Sequence, residues 1–573
     1  MYDIVIIGAG ISGAYTAYRI AKRWHDCYKL GTKVSKSPPK ILIVDGQKRL
    51  GGRYSSIPLK PTLPVPLFQA EFCAMRFYPT IQPAIASLVS ELNSGGGTTL
   101  PVSVIPAANL PLLTPEYPAI DIALHATYSS PNIKQYAKID LSTAITVATG
   151  DFANSDLLGI STGYTYLSEG INLYAYFSET PLSGLGESRF ANGFQSLVKV
   201  LIEKTKNIYM SCYTLINANE EFEDEVSKSD KNFSSRFKVL LGVKAIWMED
   251  GTDYNGASSS NGSGGCDRFY YIGLDDCPDS YISGAQVVYT GTLAQFESLE
   301  LRAYDPCYNK NGSTPSIRKM NSQIVPSPDA MSHLCKRRTT ALNLFKPHPG
   351  FKMYVYFTLP WWNPAIYGKF CDHPLLNQMI YYSPNVLLIY TLGSQSNTLF
   401  DMFIQNLLAT GLSNDQISES IYCHQWVNAS SFPLIVNYLK SQIATIIAQA
   451  VVPQPVPTLA QLNSVSQIAV HHIDQALSTP VAESASSLFQ QYEFVRSGSS
   501  SGLPYDEVSM EQVRKEMPRV ASESILQEDA SLNQSSGIWY LSGDVTDIGG
   551  GWTEYCLTNV NRYIFAIESM LYK

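Results

Sequence analysis

The stretch Ile4-Val5-Ile6-Ile7-Gly8-Ala9-Gly10-Ile11-Ser12-Gly13 decides how the chain is read. Four consecutive β-branched residues form a strand with no polar face, as in a parallel sheet covered on both sides. Gly8, Gly10 and Gly13 then spell G-x-G-x-x-G, and a helical pattern from about Ile11 to Trp24 opens directly behind them. In that setting the first glycine permits a tight turn and the second lets a pyrophosphate approach the backbone. The third lets the helix pack close to the sheet, while the helix N-terminus faces the anion. A second apolar strand, Ile41-Leu42-Ile43-Val44, completes a βαβ unit and ends in Asp45, whose carboxylate can accept both hydroxyls of a ribose. Asp45 stands 32 residues beyond Gly13, against a usual separation of about 20. The polar, proline-bearing loop from Lys29 to Pro39 accounts for the excess.

The composition is compatible with a large folded protein. The chain has 573 residues, enough for three or four lobes or for one enzyme with a split domain. It is 45% hydrophobic and only 16% charged, where about 25% charged is usual. That balance excludes a disordered chain, a coiled coil and a collagen-like repeat. A net charge of −8 argues against a protein built to hold nucleic acid or an anionic membrane surface. The 10 Cys are scattered without a C-x-x-C pair, so no metal site is expected. The N-terminus enters a strand at once and does not read as a signal peptide. No apolar run reaches the roughly 18 residues of a membrane span. The expectation is a soluble, cytoplasmic or otherwise intracellular protein.

Farther along, a helical period at Leu197–Leu201 follows Asn192-Gly193, and strand-like runs are read at 208–216, 237–247, 269–274 and 286–290. Strands are expected again at 351–358 and 386–391, and a polar helical section at about 435–530. The chain closes with a short strand, Ile538-Trp539-Tyr540-Leu541. A helix follows whose Leu557, Val560, Ile564, Ile567 and Leu571 share one face.

Beyond Asp45, the segment Arg49-Leu50-Gly51-Gly52-Arg53 resembles the R-x-G-G-R that follows the Rossmann acid in the FAD-dependent amine oxidase superfamily. Two glycines let the backbone pass close to the dinucleotide while Arg53 supplies a cation. Ala70-Glu71-Phe72-Cys73-Ala74-Met75-Arg76 is similar to the segment that runs along the flavin in L-amino-acid oxidases, and Phe351-Lys352-Met353-Tyr354 to the strand with the active-site lysine. That strand leads to an aromatic pair, here Trp361-Trp362. The order Asp372-His373-Pro374, Tyr381-Tyr382 and the apolar strand ending in Tyr390 also follows the family. Ser542-Gly543-Asp544 with Gly551-Trp552 resembles its C-terminal flavin segment.

The resemblance implies that Arg76 and Tyr390 hold a substrate carboxylate, that Lys352 holds a water near the flavin, and that Trp552 walls the reacting carbon. It implies FAD contacts from Gly8, Gly10, Gly13, Asp45, Gly51, Gly52, Arg53, Met75, Arg76, Gly543, Asp544, Gly551 and Trp552, with Thr214 on the adenine side. Ser263-Gly264-Gly265-Cys266 lies mid-chain, far from the terminal segment, so FAD is expected to be non-covalent.

The implied fold is α/β (α+β overall), of the amine-oxidase type, with a discontinuous Rossmann-like FAD-binding domain and a substrate domain of mixed sheet and helices. Residues 1–80, 186–300 and 531–573 are assigned to the FAD domain. Residues 81–185 are read as a substrate or helical region, and 301–530 as the substrate domain with a helical insertion. The implied reaction is oxidative deamination of an L-amino acid by dioxygen, giving hydrogen peroxide. A primary-amine or polyamine oxidase, a flavin monooxygenase and a non-catalytic FAD-binding structural protein remain open, as does a homodimer.

Overall fold

The computed structural model describes residues 1–31, 37–58, 69–80, 82–94, 104–106, 118–128, 139–162, 171, 173, 176, 188–219, 236–250, 269–275, 281–303, 318–319, 345–362, 369–373, 375–383, 385–409, 411, 413, 425–448, 450, 453–480, 538–541 and 553–571. The first strands are β1 (Tyr2–Ile7), β2 (Ile41–Asp45), β3 (Ser56–Pro58), β4 (Gln69–Glu71), β5 (Val104–Pro106), β6 (Ser188–Phe190), β7 (Phe237–Leu241), β8 (Ala245–Asp250), β9 (Tyr270–Leu274) and β10 (Tyr281–Tyr289). They are followed by β11 (Glu300–Ala303), β12 (Arg318–Lys319), β13 (Phe345–Phe357), β14 (Lys369–His373), β15 (Asn377–Ser383), β16 (Val386–Leu392), β17 (Val427–Asn428), β18 (Val465–Pro480) and β19 (Ile538–Tyr540).

A large sheet runs β12-β11-β8-β9-β10-β1-β2-β7, with β19 also on β10. β1 pairs in parallel with β2 on one edge and with β10 on the other. β7 extends the parallel run beyond β2. On its far edge, β10 pairs antiparallel with β9 through Tyr281–Gly284 and parallel with β19 through Val287–Tyr289. Ile4, Val5, Ile6 and Ile41 to Val44 are buried, as fully covered parallel strands require.

The helix Ile11–Lys29 lies on this sheet through small residues, Ala14, Ala17 and Ala21, all buried. The helix Thr553–Leu571 packs beside it and buries Leu557, Val560, Ile564 and Ile567. Glu554, in the first turn of that helix, accepts the N–H groups of Ala84 (2.8 Å) and Ile85 (3.0 Å), capping the helix Pro83–Ser94 from outside.

A second sheet, β14-β15-β16-β13-β18-β17, alternates cleanly along β13. Phe351, Met353, Val355 and Phe357 face a core built with the helices Gln395–Ala409 and Pro433–Ala448. Lys352, Tyr354 and Tyr356 therefore occupy the opposite face. Trp361 and Trp362, 4.7 Å apart and edge to face, belong to the helix-side core.

Two readings are corrected. Residues 208–216 lie in the helix Phe194–Asn219, whose Leu197, Val198, Leu201, Ile202, Thr205 and Tyr209 are buried at helical spacing. Long-range packing of that face overrides the local strand-like run. The section 435–530 is not uniformly helical, since after the helices Pro433–Ala448 and Leu459–Leu462 it contains β18, a strand of 16 residues. Its remainder, 481–537, lies outside the described residues.

Ile567 is fully buried between the terminal helix and the sheet core. Ile567→Ala is expected to destabilise the fold by about 2–5 kcal/mol, read as a lower chemical-denaturation midpoint.

Candidate active site

The carboxyl ends of β1, β2 and β7 converge on the glycine turns. Gly51 N–H donates to the Ala9 carbonyl (3.0 Å), and Gly10 and Gly51 form a parallel β-bridge. Gly51 and Gly52 adopt φ of +118° and +56°, conformations that favour glycine. Arg49 locks this turn by donating to the carbonyls of Gly52 (2.7 Å) and Tyr54 (3.0 Å). Burial pulls its pKa down to about 10, partly offset by Asp45. Arg53 donates to the Ala476 carbonyl of β18 at 3.1 Å, tying the turn to the second sheet.

The three early glycines have different causes. A Cβ on Gly13 would overlap the Gly8 carbonyl, and one on Gly8 would overlap the Thr290 side chain. A Cβ on Gly10 would meet nothing closer than 3.7 Å, and its φ of −76° suits any residue. The bare backbone at Gly10 is not required by the chain's own packing. It leaves room for a group from outside, as a dinucleotide pyrophosphate would need. Asp45 accepts the N–H of Ala9 (2.6 Å) and of Gln47 (2.7 Å), one on each oxygen. Burial raises its pKa while those two N–H groups and Arg49 oppose the rise. Its oxygens retain lone pairs for ribose hydroxyls.

Thr214, expected beside the adenine, lies on the helix Phe194–Asn219 instead. The backbone beside Asp45 comes from the end of β7, where Val243 N–H reaches the Asp45 carbonyl (3.0 Å) and Gly242 N–H the Gln47 carbonyl (2.9 Å). The strand-like run 237–247 was the available signal. Gly543, Asp544, Gly551 and Trp552 lie outside the described residues, as does Cys266. The helix starting at Thr553 is anchored at the glycine turn, because the Tyr54 hydroxyl and Thr553 Oγ1 share a hydrogen bond.

The second sheet meets the segment after β4. Lys352, on β13, is buried and donates to the carbonyls of Glu71 (3.1 Å) and Cys73 (2.7 Å). A surface-seeking lysine is thereby excluded. Its Nζ sits 4.7 Å from the ring centre of Tyr390, its cross-strand partner on β16. Burial pulls the ammonium pKa down to about 8. Cys73 and Glu71 oppose that shift, and the nearby Arg76 reinforces it. Arg76 itself is half-buried, and Met75 packs with Ile57, Tyr356, Tyr382, Tyr390 and Trp426 around a small apolar cluster. Lys352, Tyr390 and Met75 are thus brought to one face, and Arg76 lies near enough to Lys352 to act on its charge.

Glu71, Tyr354 and Tyr382 were missed as contributors. Glu71 is buried and accepts the Ser56 hydroxyl (2.6 Å) and the Phe194 N–H (3.0 Å) at the start of a helix. Burial raises its pKa to about 7, against the pull of Ser56, Phe194, Lys352 and Arg189. Tyr354 was detectable from its spacing, two residues beyond Lys352 on one strand.

Gly13→Ala is expected to abolish folded protein. Gly10→Ala should leave the unfolding midpoint of the ligand-free chain nearly unchanged while weakening retention of a dinucleotide, measured by equilibrium dialysis.

Glu71 has a folded pKa above its unfolded value of 4.5. Its stabilising contribution is therefore complete below that value and is lost as pH rises through about 7. Between pH 5 and 8 the wild type should lose up to roughly 3 kcal/mol relative to Glu71→Gln, read by denaturation at each pH.

Comparisons with known proteins agree with this geometry. Residues 6–92 match the family model of an NAD(P)-binding Rossmann-like domain. No curated protein sequence matches. Among solved structures, putrescine oxidase matches as the wild type bound to putrescine and as a double mutant redesigned in cofactor binding. Each gives a TM-score of 0.53 at 10% identity over 99% of both chains. Among the described residues, no helix is long and apolar enough to cross a membrane. A Rossmann-like glycine turn, a sheet assembled from distant parts of the chain and a structural match over nearly its whole length give this chain the fold seen in the putrescine oxidase structures.

Proposed function

We propose that the chain is a FAD-dependent oxidase and that its substrate is an L-α-amino acid, which dioxygen and water convert to the 2-oxo acid, ammonia and hydrogen peroxide. The observation carrying this reading is the placement of Lys352. A lysine buried against Tyr390 and held by the backbone of the segment bearing Met75 and Arg76 joins three chain regions into one polar spot in an aromatic wall. Burying an ammonium costs several kcal/mol, which a merely structural contact does not require.

FAD, when bound without a covalent link, supplies the acceptor for the two electrons and the hydrogen leaving Cα. The backbone at Gly10, Gly51 and Gly52 fits the pyrophosphate, and Asp45 fits the ribose. Arg53 stands at the same turn but already spends one N–H on Ala476. Gly543, Asp544, Gly551 and Trp552 complete the cofactor side in this reading. Residues 1–80, 186–300 and 531–573 make up its domain, joined by the helix Pro83–Ser94 and by β11 and β12, and the rest of 81–185 and 301–530 the substrate side.

Arg76 offers a planar pair of donors to the substrate carboxylate, and the Tyr390 hydroxyl adds a further donor. Holding that end fixes the direction of the Cα hydrogen. Lys352 has two of its donors committed to carbonyls, so its remaining position can hold a water or a proton beside the substrate amine.

Oxidation of a simple amine or diamine is the second reading, favoured by the structural likeness to putrescine oxidase. Arg76 separates the two, because only a substrate that carries a carboxylate can form a charge-assisted pair with its guanidinium. Anaerobic titration with L-amino acids, D-amino acids and amines should bleach the visible flavin band with one or a few L-amino acids. Bleaching by amines alone would transfer the reading to an amine oxidase, and no bleaching with any compound would favour a structural flavoprotein. Arg76→Met should cost on the order of 1.5–3 kcal/mol of substrate binding, read as a raised KM for the amino acid.

A further inference from the structure

In the β3–β4 hairpin, Phe72 N–H bonds back to the Ser55 carbonyl (3.0 Å), and Ser56 stands opposite Glu71. Glu71 therefore occupies the alternate position, and its own N–H and C=O point away from β3. The hairpin has only two strands, so no further strand covers that edge among the described residues.

Side chains of the second sheet take that place. The Tyr354 hydroxyl accepts the Glu71 N–H (2.9 Å) and donates to the Glu71 carbonyl (2.6 Å), closing both backbone groups of one residue. Lys352, two residues earlier on the same face, donates to the Glu71 and Cys73 carbonyls. Tyr382 donates to the Gln69 carbonyl at 2.7 Å. The Tyr354 ring is fully buried, edge-on to Phe72 (5.5 Å) and Tyr382 (5.1 Å), which fixes its hydroxyl in place.

We propose that Tyr354 is a positioning residue of the candidate active site. Its hydroxyl sets the height and register of residues 71–76 on the sheet, and through them the placement of Arg76 relative to Lys352 and Tyr390. The proposal rests on the reading of Arg76 as the carboxylate anchor. Without the hydroxyl, the buried Glu71 N–H loses its partner and its carbonyl keeps only Lys352. The peptide then has reason to shift, and the chain leading to Arg76 shifts with it.

The test compares Tyr354→Phe, Tyr382→Phe and Arg76→Met holoenzymes. Equilibrium binding of an aromatic carboxylate and of its uncharged amide is measured alongside kcat and KM for an L-amino acid and for the amine lacking its carboxylate. Tyr354→Phe is expected to weaken carboxylate binding and raise the amino-acid KM about tenfold. Amide binding and the amine KM should change less than twofold. Tyr382→Phe, acting at Gln69, should give a smaller selective loss.

Equal losses for charged and uncharged ligands, or a lower melting temperature with no loss of selectivity, would reduce Tyr354 to a structural role and overturn the proposal. So would an equal selective loss in Tyr382→Phe. Unchanged carboxylate binding in Arg76→Met would overturn the anchor reading and this proposal with it. A loss there combined with none in Tyr354→Phe would overturn the positioning role alone. Should Tyr354→Phe not fold, 3-fluorotyrosine at position 354 keeps the ring and weakens the hydroxyl as an acceptor. It carries the same selective prediction at smaller size.

Discussion

β1 takes parallel partners on both edges, and the rest of the molecule is arranged around that requirement. A parallel pair cannot be closed by a tight turn, so each partner must return from farther along the chain. β2 returns after one helix, whereas β10 comes from beyond residue 280, and β19, the parallel partner of β10, from beyond residue 537. Because the strands run parallel, their carboxyl ends finish on one side, and the loops there form a crevice of the kind that takes dinucleotides. Gly8 to Gly13, Asp45, the Gly51-Gly52 turn and Val243 meet there for this reason.

Contact between the two sheets adds the second half of the site. The six-stranded sheet shows an apolar face to its helices and a mixed face to the β3–β4 hairpin, and the alternation along β13 sorts residues between them. On the mixed face, the cost of removing Lys352 from water is offset by two carbonyls and an aromatic ring. Glu71 is handled similarly, by a hydroxyl and a helix-initial N–H. These groups hold the hairpin, the helix Phe194–Asn219 and the second sheet in one arrangement. The same contacts that stabilise the junction therefore orient the candidate chemistry.

Much of this was legible before the structure. Gly8, Gly13, Gly51 and Gly52 could be read because their demands are local: a turn, a close approach or a positive φ leaves few residues able to serve. Asp45 followed from its place at the end of a strand. Residues 208–216 were misread because a short apolar run with alternating polarity fits a strand or a buried helix equally, and packing against the sheet chose the helix. β18 was misread because its polar residues include His471, opposite Lys352 on the mixed face, so the strand lacks the apolar signature of a core strand. Of the two arginines at the glycine turn, the sequence reading gave a role to Arg53 alone. Only the folded backbone made the first a lock on the glycine turn and the second a tie to β18.

By itself, then, the sequence determined the nucleotide-binding turn, the central parallel strands, the terminal helix and the set of side chains from which a site could be built. These follow from backbone sterics and periodicity, which act over a few residues. Tertiary structure decided that Lys352 is buried, that Tyr354 closes the open edge of Glu71, that Val243 meets Asp45 while Thr214 lies on a helix, and that the tryptophan pair serves the core. Each of those outcomes depends on which distant segments meet. That choice is made by long-range burial and by the need to satisfy every buried N–H and C=O, neither of which a local pattern encodes.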